Sequence, residues 1–225
     1  MSRIAFFADN HYGCHPGRHW LESLPEHWQK LIFFAEDDWQ CLEDGSALQD
    51  CRLLMLNMVG GSCGVQHPQA GAEGCLLKYL QAGGNMLLLH GSSAAFWQWS
   101  WWRRIVGLRW VRENDPDGAE VSTHPVQPYH LKLCKVRHPL TANLQEFELP
   151  SDEIYTHLEQ VAPIMTLMEC TVENRTWPQC WENFSPWGGR VIGFLPGHAL
   201  DAIKQPGMIH NITCLIDWLY CHHTG

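Results

Sequence analysis

Imidazole is the reactive group this chain carries in excess: 14 of its 225 residues are histidine. Two of them share one sequence setting. The apolar run Asn85-Met86-Leu87-Leu88-Leu89 ends abruptly at His90, with Gly91-Ser92-Ser93 behind it. The run Arg190-Val191-Ile192-Gly193-Phe194-Leu195 passes through Pro196-Gly197 to His198. In each, a buried strand delivers an imidazole to a glycine turn. In open α/β sheets ligands bind beyond the carboxyl ends of the strands, and a strand-to-helix turn is a common seat for a reactive side chain. A histidine closing a strand can also satisfy itself on backbone groups; two such strand ends in one chain are harder to ascribe to packing.

Further candidates surround these two. Ser151-Asp152-Glu153-Ile154-Tyr155-Thr156-His157 places adjacent carboxylates between apolar residues. Such a pair serves as general base or metal ligand, or as a helix cap favoured by the dipole. The loop Asp9-Asn10-His11-Tyr12-Gly13-Cys14-His15-Pro16-Gly17-Arg18-His19 crowds three histidines after the first apolar run. It reads either as part of the same edge or as a solvated polar loop. His124-Pro125 and His138-Pro139 are turn formers, because proline restricts the residue before it. Two histidines and a carboxylate make an ordinary zinc or manganese set. The chain has no Cys-x-x-Cys and no Gly-x-Gly-x-x-Gly or phosphate loop, so a nucleotide-binding reading lacks support.

The elements that must position these groups alternate. Arg3 to Ala8 is expected as a strand, His19 to Phe34 as a helix broken at Pro25, and Cys51 to Met58 as a buried strand. Glu73 to Ala82 is expected as a helix closing at Gly83-Gly84, followed by the strand into His90 and a Trp-bearing helix over Ala94 to Val106. Strand-helix alternation points to a parallel sheet with helices on both faces. Later, Tyr129 to Val136, Val161 to Met168 and Arg190 to Phe194 read as strands, Pro139 to Leu149 as a turn with a short helix, and Ile209 to Tyr220 as a closing helix. No repeat or linker divides the chain, so residues 1–225 are expected to form a single domain.

The totals narrow the function classes. Lys+Arg 15 against Asp+Glu 24 gives a net charge of −9, with no general attraction for nucleic acid or anionic membrane. No apolar run approaches the ~20 residues of a membrane span. The N-terminal apolar stretch is too short for a signal peptide, which sets a cytoplasmic expectation. There the ten cysteines, scattered in spacing, are expected as reduced thiols. Charged residues make up only 17% of the chain, low for a soluble domain, and suggest a homo-oligomer.

Five features in order resemble one known family: Leu89-His90, Arg104-Ile105-Val106-Gly107, His138-Pro139-Leu140, Asp152-Glu153-Ile154-Tyr155, and Gly189-Arg190-Val191 running into Gly197-His198. With the closing Ile216-Asp217-Trp218 they resemble the ThuA-like family, named for trehalose utilisation, within the class I glutamine amidotransferase-like superfamily. The resemblance covers nearly the whole chain. It implies a flavodoxin-like, doubly wound, mostly parallel α/β sheet. His90 then stands where amidotransferases keep a nucleophilic cysteine. No cysteine lies between Met86 and Ser100, so glutamine hydrolysis by a thiolate is not expected. Ser92 and Ser93 stand nearby without a base adjacent in sequence.

By the same resemblance His90, Glu153 and His198 are the expected catalytic residues. His19, with His15 aligning as well, is expected to line the site with Asp152 and Tyr155, and Trp97 or Trp187 to stack on a sugar face. The implied activity is carbohydrate catabolism: a hydrolase or lyase acting on a keto-glycoside by His/Glu acid–base chemistry, assisted by a divalent metal held by His90, His198 and Glu153. The alternative is a non-catalytic sugar-binding protein on the same scaffold. In both cases the partner is a small-molecule carbohydrate.

Overall fold

The apolar runs become strands, and pairing between them decides where the helices stop. The computed structural model describes residues 4–60, 67–96, 98–115 and 120–222. The first half contains β1 (Ile4–Ala8), α1 (Pro16–Ser23), α2 (Glu26–Gln29), β2 (Ile32–Glu36), α3 (Gln40–Glu43), β3 (Leu53–Asn57), α4 (Ala70–Gln81) and β4 (Asn85–Leu89). Then come α5 (Trp102–Ile105), β5 (Leu108–Arg109), β6 (Val126–Leu133), β7 (Phe147–Glu153) and β8 (Glu159–Gln160). The chain continues through β9 (Met165–Val172), β10 (Arg175–Phe184), β11 (Arg190–Phe194), α6 (Leu200–Ile203) and α7 (Pro206–Cys221).

Nine strands form one sheet in the order β2-β1-β3-β4-β11-β10-β9-β6-β7. The first five are mutually parallel. Beyond β11 the sheet continues with antiparallel pairs. Because β2 and β3 flank β1 on opposite sides, the winding direction reverses at β1. The crevice beyond the carboxyl ends of β1 and β3 is therefore the expected binding edge.

Side-chain alternation builds the two cores. Ile4, Phe6, Leu53, Met55, Leu87, Leu89, Ile192 and Phe194 face α1, α6 and α7, against Trp20, Ile203, Ile212 and Leu215. Ala5, Phe7, Leu54, Leu56, Met86, Leu88 and Val191 face the other way, against Leu42, Leu76, Leu80 and Trp102. Strands buried on both faces read as continuous apolar runs, and each buried Leu or Phe contributes roughly 1.5–3 kcal/mol.

Several local expectations yield to this packing. Phe33 and Phe34 belong to β2, not to a helix: Ile4 pairs with Ile32 and Phe6 with Phe34, and this aromatic run suits a pleated surface. The helix expected over Ala94 to Val106 shrinks to α5 because Phe96 turns left-handed, at φ +50°, to stack on Trp99 at 4.0 Å. Phe147 and Leu149, expected in a turn, lie in β7, and Asp152 and Glu153 end that strand instead of capping a helix. The strand expected at Val161 to Met168 slides to β9. β10 was hidden by Pro178, which breaks a strand pattern; the register shifts there to accommodate it. The nine described cysteines are all free. Among the described residues no helix is long and apolar enough to cross a membrane.

Candidate functional site

Four carboxyl strand ends converge on one spot. His90 follows β4 directly, in a left-handed conformation (φ +47°) that a non-glycine residue holds only at an energetic cost. Gly91 next to it has no room for a side chain: a Cβ there would collide with Val59. The ring of His90 is fully buried and its Nδ1 lies 2.9 Å from the Leu195 carbonyl. A carbonyl can only accept, so Nδ1 carries the proton and Nε2 is the basic nitrogen of the neutral ring. Nε2 lies 3.2 Å from the Tyr155 hydroxyl and 3.3 Å from Glu153 Oε2.

His198 arrives after β11 and lies 5.1 Å from His90, ring centre to ring centre. Its loop is held by Asp152, whose carboxylate accepts from the backbone N–H groups of Gly197 (2.7 Å), His198 (3.1 Å) and Ala199 (2.8 Å). Gly197 adopts φ +112°, and a Cβ there would strike Trp20. Asp152, expected to meet substrate, is thus a positioning residue for His198. Successive strand residues point to opposite faces: Asp152 is buried in the protein while Glu153 stays partly open beside the histidines.

His11 completes the cluster. It stands 6.1 Å, ring to ring, from both His90 and His198, and one nitrogen from each of the three rings lies within 4.8 Å of the others. Its Nδ1 donates to Asp9 Oδ1 at 2.6 Å. The other Asp9 oxygen accepts from Val59 and Gly60, each at 2.9 Å, tying the end of β1 to the end of β3. Asp9 thereby fixes the His11 tautomer, as a carboxylate does behind a metal-binding histidine. His11 Nε2 and His198 Nδ1 are buried without a hydrogen-bond partner among the described residues. Buried polar atoms are rarely left so, and two of them in one histidine cluster fit a cation.

The carboxylate of Glu153 is bracketed by imidazoles. His90 lies on Oε2 at 3.3 Å, His124 on Oε1 at 3.3 Å, and His198 Nε2 is 3.9 Å from Oε1. Burial alone would raise Glu153, but the His90 hydrogen bond and the charges of His90, His198 and His124 hold it below its ordinary range. Burial works against charge on His90, yet the hydrogen bond and charge of Glu153, aided by Asp152 and the Leu195 carbonyl, prevail and raise it. Burial and the charge of His90 lower His198, against the pull of Glu153.

The expected residues fall into three groups. His90, Glu153, His198 and Tyr155 come together. His19 does not: α1 carries it beside Glu22, 4.0 Å away, and His15 is engaged by Glu36 at 2.7 Å. Trp187 precedes β11 whereas His198 follows it, so the two lie at opposite ends of that strand. Trp97 lies outside the described residues. Ser92 is buried as a clip between β3 and β4, its hydroxyl 2.8 Å from the Leu56 carbonyl and accepting from Met58 N at 3.1 Å. His138 serves the core, its Nε2 2.9 Å from Glu182, which also receives Arg190 and Trp218. Sequence reasoning missed His11 as a cluster member in place of its neighbours. The available signal was Asp9, two residues earlier, at the end of the same strand.

A doubly wound, mostly parallel sheet with a strained histidine at the turn after β4 defines a flavodoxin-like α/β protein. Within that class the chain belongs to the ThuA family, described as trehalose utilisation, whose profile matches residues 5–219. Among solved structures it is similar to a protein of Parabacteroides merdae described as ThuA-like, with 17% identity, TM-score 0.77, and coverage of 100% of this chain and 92% of that one. A second ThuA-like protein, from Bacteroides uniformis, gives 13% identity and TM-score 0.73 over 98% of this chain and 92% of that one. A cytoplasmic protein of Salmonella typhimurium gives 10% identity and TM-score 0.63 over 95% of this chain and 98% of that one. At such identities the likeness is one of fold alone. No curated protein matches the chain.

Proposed function

We propose that this chain is a carbohydrate-directed enzyme that cleaves a keto-glycoside, with Glu153 as general base beside a three-histidine cluster. The observation that carries the reading is the ionised Glu153 held between His90 and His124 at 3.3 Å from each, next to imidazole nitrogens with no hydrogen-bond partner among the described residues. The family's trehalose-utilisation description supports the substrate class.

In the proposed reaction Glu153 removes the proton from the carbon between the ketone and the anomeric carbon. That C–H bond breaks and its electron pair forms an enolate. The enolate re-forms the ketone as the anomeric C–O bond breaks, leaving a carbon–carbon double bond. The departing oxygen takes a proton from the His124 imidazolium and leaves as an alcohol. Water then adds: its hydroxyl goes to the anomeric carbon, its proton to His124, and protonated Glu153 returns its proton to the neighbouring carbon. The sum is hydrolysis, and both groups recover their starting states. The C–H acidity conferred by the ketone offsets the weak basicity of a carboxylate held low.

The enolate oxygen needs electrophilic stabilisation, which falls to the cluster. His11, His90 and His198 would hold a divalent cation, zinc or manganese, that supplies Lewis acidity when bound. This set exchanges Glu153 of the expected trio for His11, leaving the carboxylate as base. The nitrogens lie within 4.8 Å of one another, and the rings would draw in to hold a cation. The Leu195 carbonyl orients His90 from Nδ1, and the Tyr155 hydroxyl, 3.2 Å from Nε2, would give up that contact to the cation.

The wider expectations stand as part of the same reading: a small carbohydrate as partner, not nucleic acid or membrane, residence in the cytoplasm, and self-association suited to the 17% charge fraction. The test is metal analysis of purified protein followed by assay on 3-keto-glycosides. Turnover lost by at least a hundredfold in Glu153→Gln, with ligand affinity kept, is the expected result. Sugar binding without turnover on any keto-glycoside would make the chain a binding protein instead.

A further inference from the structure

We propose that the cleft on the outer side of His124 is a subsite for a second, neutral sugar ring, the part of the substrate that is released. The inference rests on the reading of the site above and names where its leaving group sits. The cleft encloses about 370 Å³ between Thr123, His124, Pro125, Thr156, His157, Arg175 and Trp177. That volume lies within the roughly 300–1,000 Å³ of small-molecule sites. His124 is the shared wall: it lines the cleft and places Nδ1 3.3 Å from Glu153 Oε1. A ring seated there would abut the reacting bond and sit next to the group assigned to protonate the departing oxygen. A larger hollow of about 610 Å³ near His67 and Trp99 has none of the site residues in its wall.

The lining has the chemistry of a polyhydroxylated, uncharged ligand. Trp177 lines the cleft with a half-buried indole, and the part of it that Arg175 and His157 leave uncovered can receive the apolar C–H face of a sugar ring. Around it stand groups that donate and accept: the two threonine hydroxyls, His157 and the Arg175 guanidinium. Charges of both signs are present, since Glu173 also lines the cleft and Glu120 lies 3.4 Å from His157. The cleft therefore has no bias toward an anionic ligand.

The walls are braced before any ligand arrives. Thr123 and Thr156 exchange backbone hydrogen bonds in both directions (3.2 and 2.8 Å), and their hydroxyls meet at 2.6 Å. Arg175 stacks over Trp177 at 4.6 Å, and the His157 ring lies 4.3 Å from the same indole. On the inner side Trp110 packs on Tyr155 at 4.8 Å and on His124 at 5.5 Å. Preorganisation of this kind lowers the entropic cost of binding.

The test uses the full chain, with trehalose and methyl α-glucoside as calorimetric probes and their 3-keto forms as substrates. Wild type is expected to bind trehalose saturably. Trp177→Ala is expected to weaken trehalose binding about tenfold and to lower the kcat/KM preference for the two-ring over the one-ring substrate by a similar factor. Trp177→Phe should restore both. Arg175→Ala, at an exposed hairpin position, repeats the test if Trp177→Ala fails to fold. Weakened trehalose binding with no turnover of either keto-sugar would keep the subsite and overturn the proposed reaction. Turnover with binding and preference unmoved in both variants, or no saturable trehalose binding by wild type, would overturn the subsite.

Discussion

The residue that governs the site's electrostatics is Glu153. It holds His90 above the ordinary histidine range against the effect of burial, and it is itself held low by His90 and its neighbours. The sign of a substitution follows. In Glu153→Gln the negative charge is gone, burial dominates, and the His90 pKa falls below the ordinary histidine value; a proton-detected imidazole titration by NMR reads this directly. An unchanged His90 would remove Glu153 from the electrostatic scheme. A cation and a proton compete for His90 Nε2, so cation affinity in the wild type declines as pH falls, and the decline is shallower in the variant. Asp9 acts one step further out. With its carboxylate on His11 Nδ1 at 2.6 Å, Asp9→Asn is expected to weaken zinc binding about 10–100-fold, measured against a competing chelator.

At the scale of elements, strand ends set the side chains and buried carboxylates set the loops. Asp152 closes β7 and gathers three backbone N–H groups of the loop after β11. Hydrogen bonds to a charged acceptor are the strong kind. Asp152→Ala leaves those donors unsatisfied and is expected to cost about 2–4 kcal/mol, seen as a lower denaturation midpoint. It should also free His198 from its place beside Glu153. A midpoint equal to that of wild type would mean that the loop is held by other contacts. The Asp-Glu pair thus divides its labour by strand alternation, one carboxylate inward to the scaffold and one outward to the site.

The whole molecule separates chemistry from support along the strand direction. His11, His90, His198 and Glu153 gather at one edge of the sheet, while Trp187 lies in the turn leading into β11 at the other, 37% exposed. Trp187→Ala is therefore expected to change stability by less than about 0.5 kcal/mol and to leave zinc affinity and keto-glycoside turnover at wild-type levels. A large loss of activity would contradict the placement of the site. The sheet's asymmetry matters equally. The parallel half supplies the three histidines, and the antiparallel extension brings Glu153, Tyr155 and the hairpin wall of the outer cleft.

Much of this was legible in the chain itself, because a strand buried on both faces is a local pattern. Leu53 to Asn57, Asn85 to Leu89 and Arg190 to Phe194 announce themselves through apolar runs closed by turn residues, and each run also predicts where its last side chain emerges. His90 and His198 were readable on that basis, and Glu153 from the paired carboxylates and the family resemblance. What lay beyond local pattern was decided by tertiary contact. Phe33 and Phe34 are strand residues because β1 offers them an open edge. Among three histidines in eleven residues, His11 is chosen because a kinked turn and Asp9 aim it inward, while a helix turns His19 outward. Asp152 and Trp187 are ordinary polar and aromatic residues by sequence; only the closing of β7 and β11 into one sheet assigns the first to hold a loop and the second to the far end. Periodicity encodes which face a residue occupies, but distances between residues on separate elements come only from the packing of the elements that carry them.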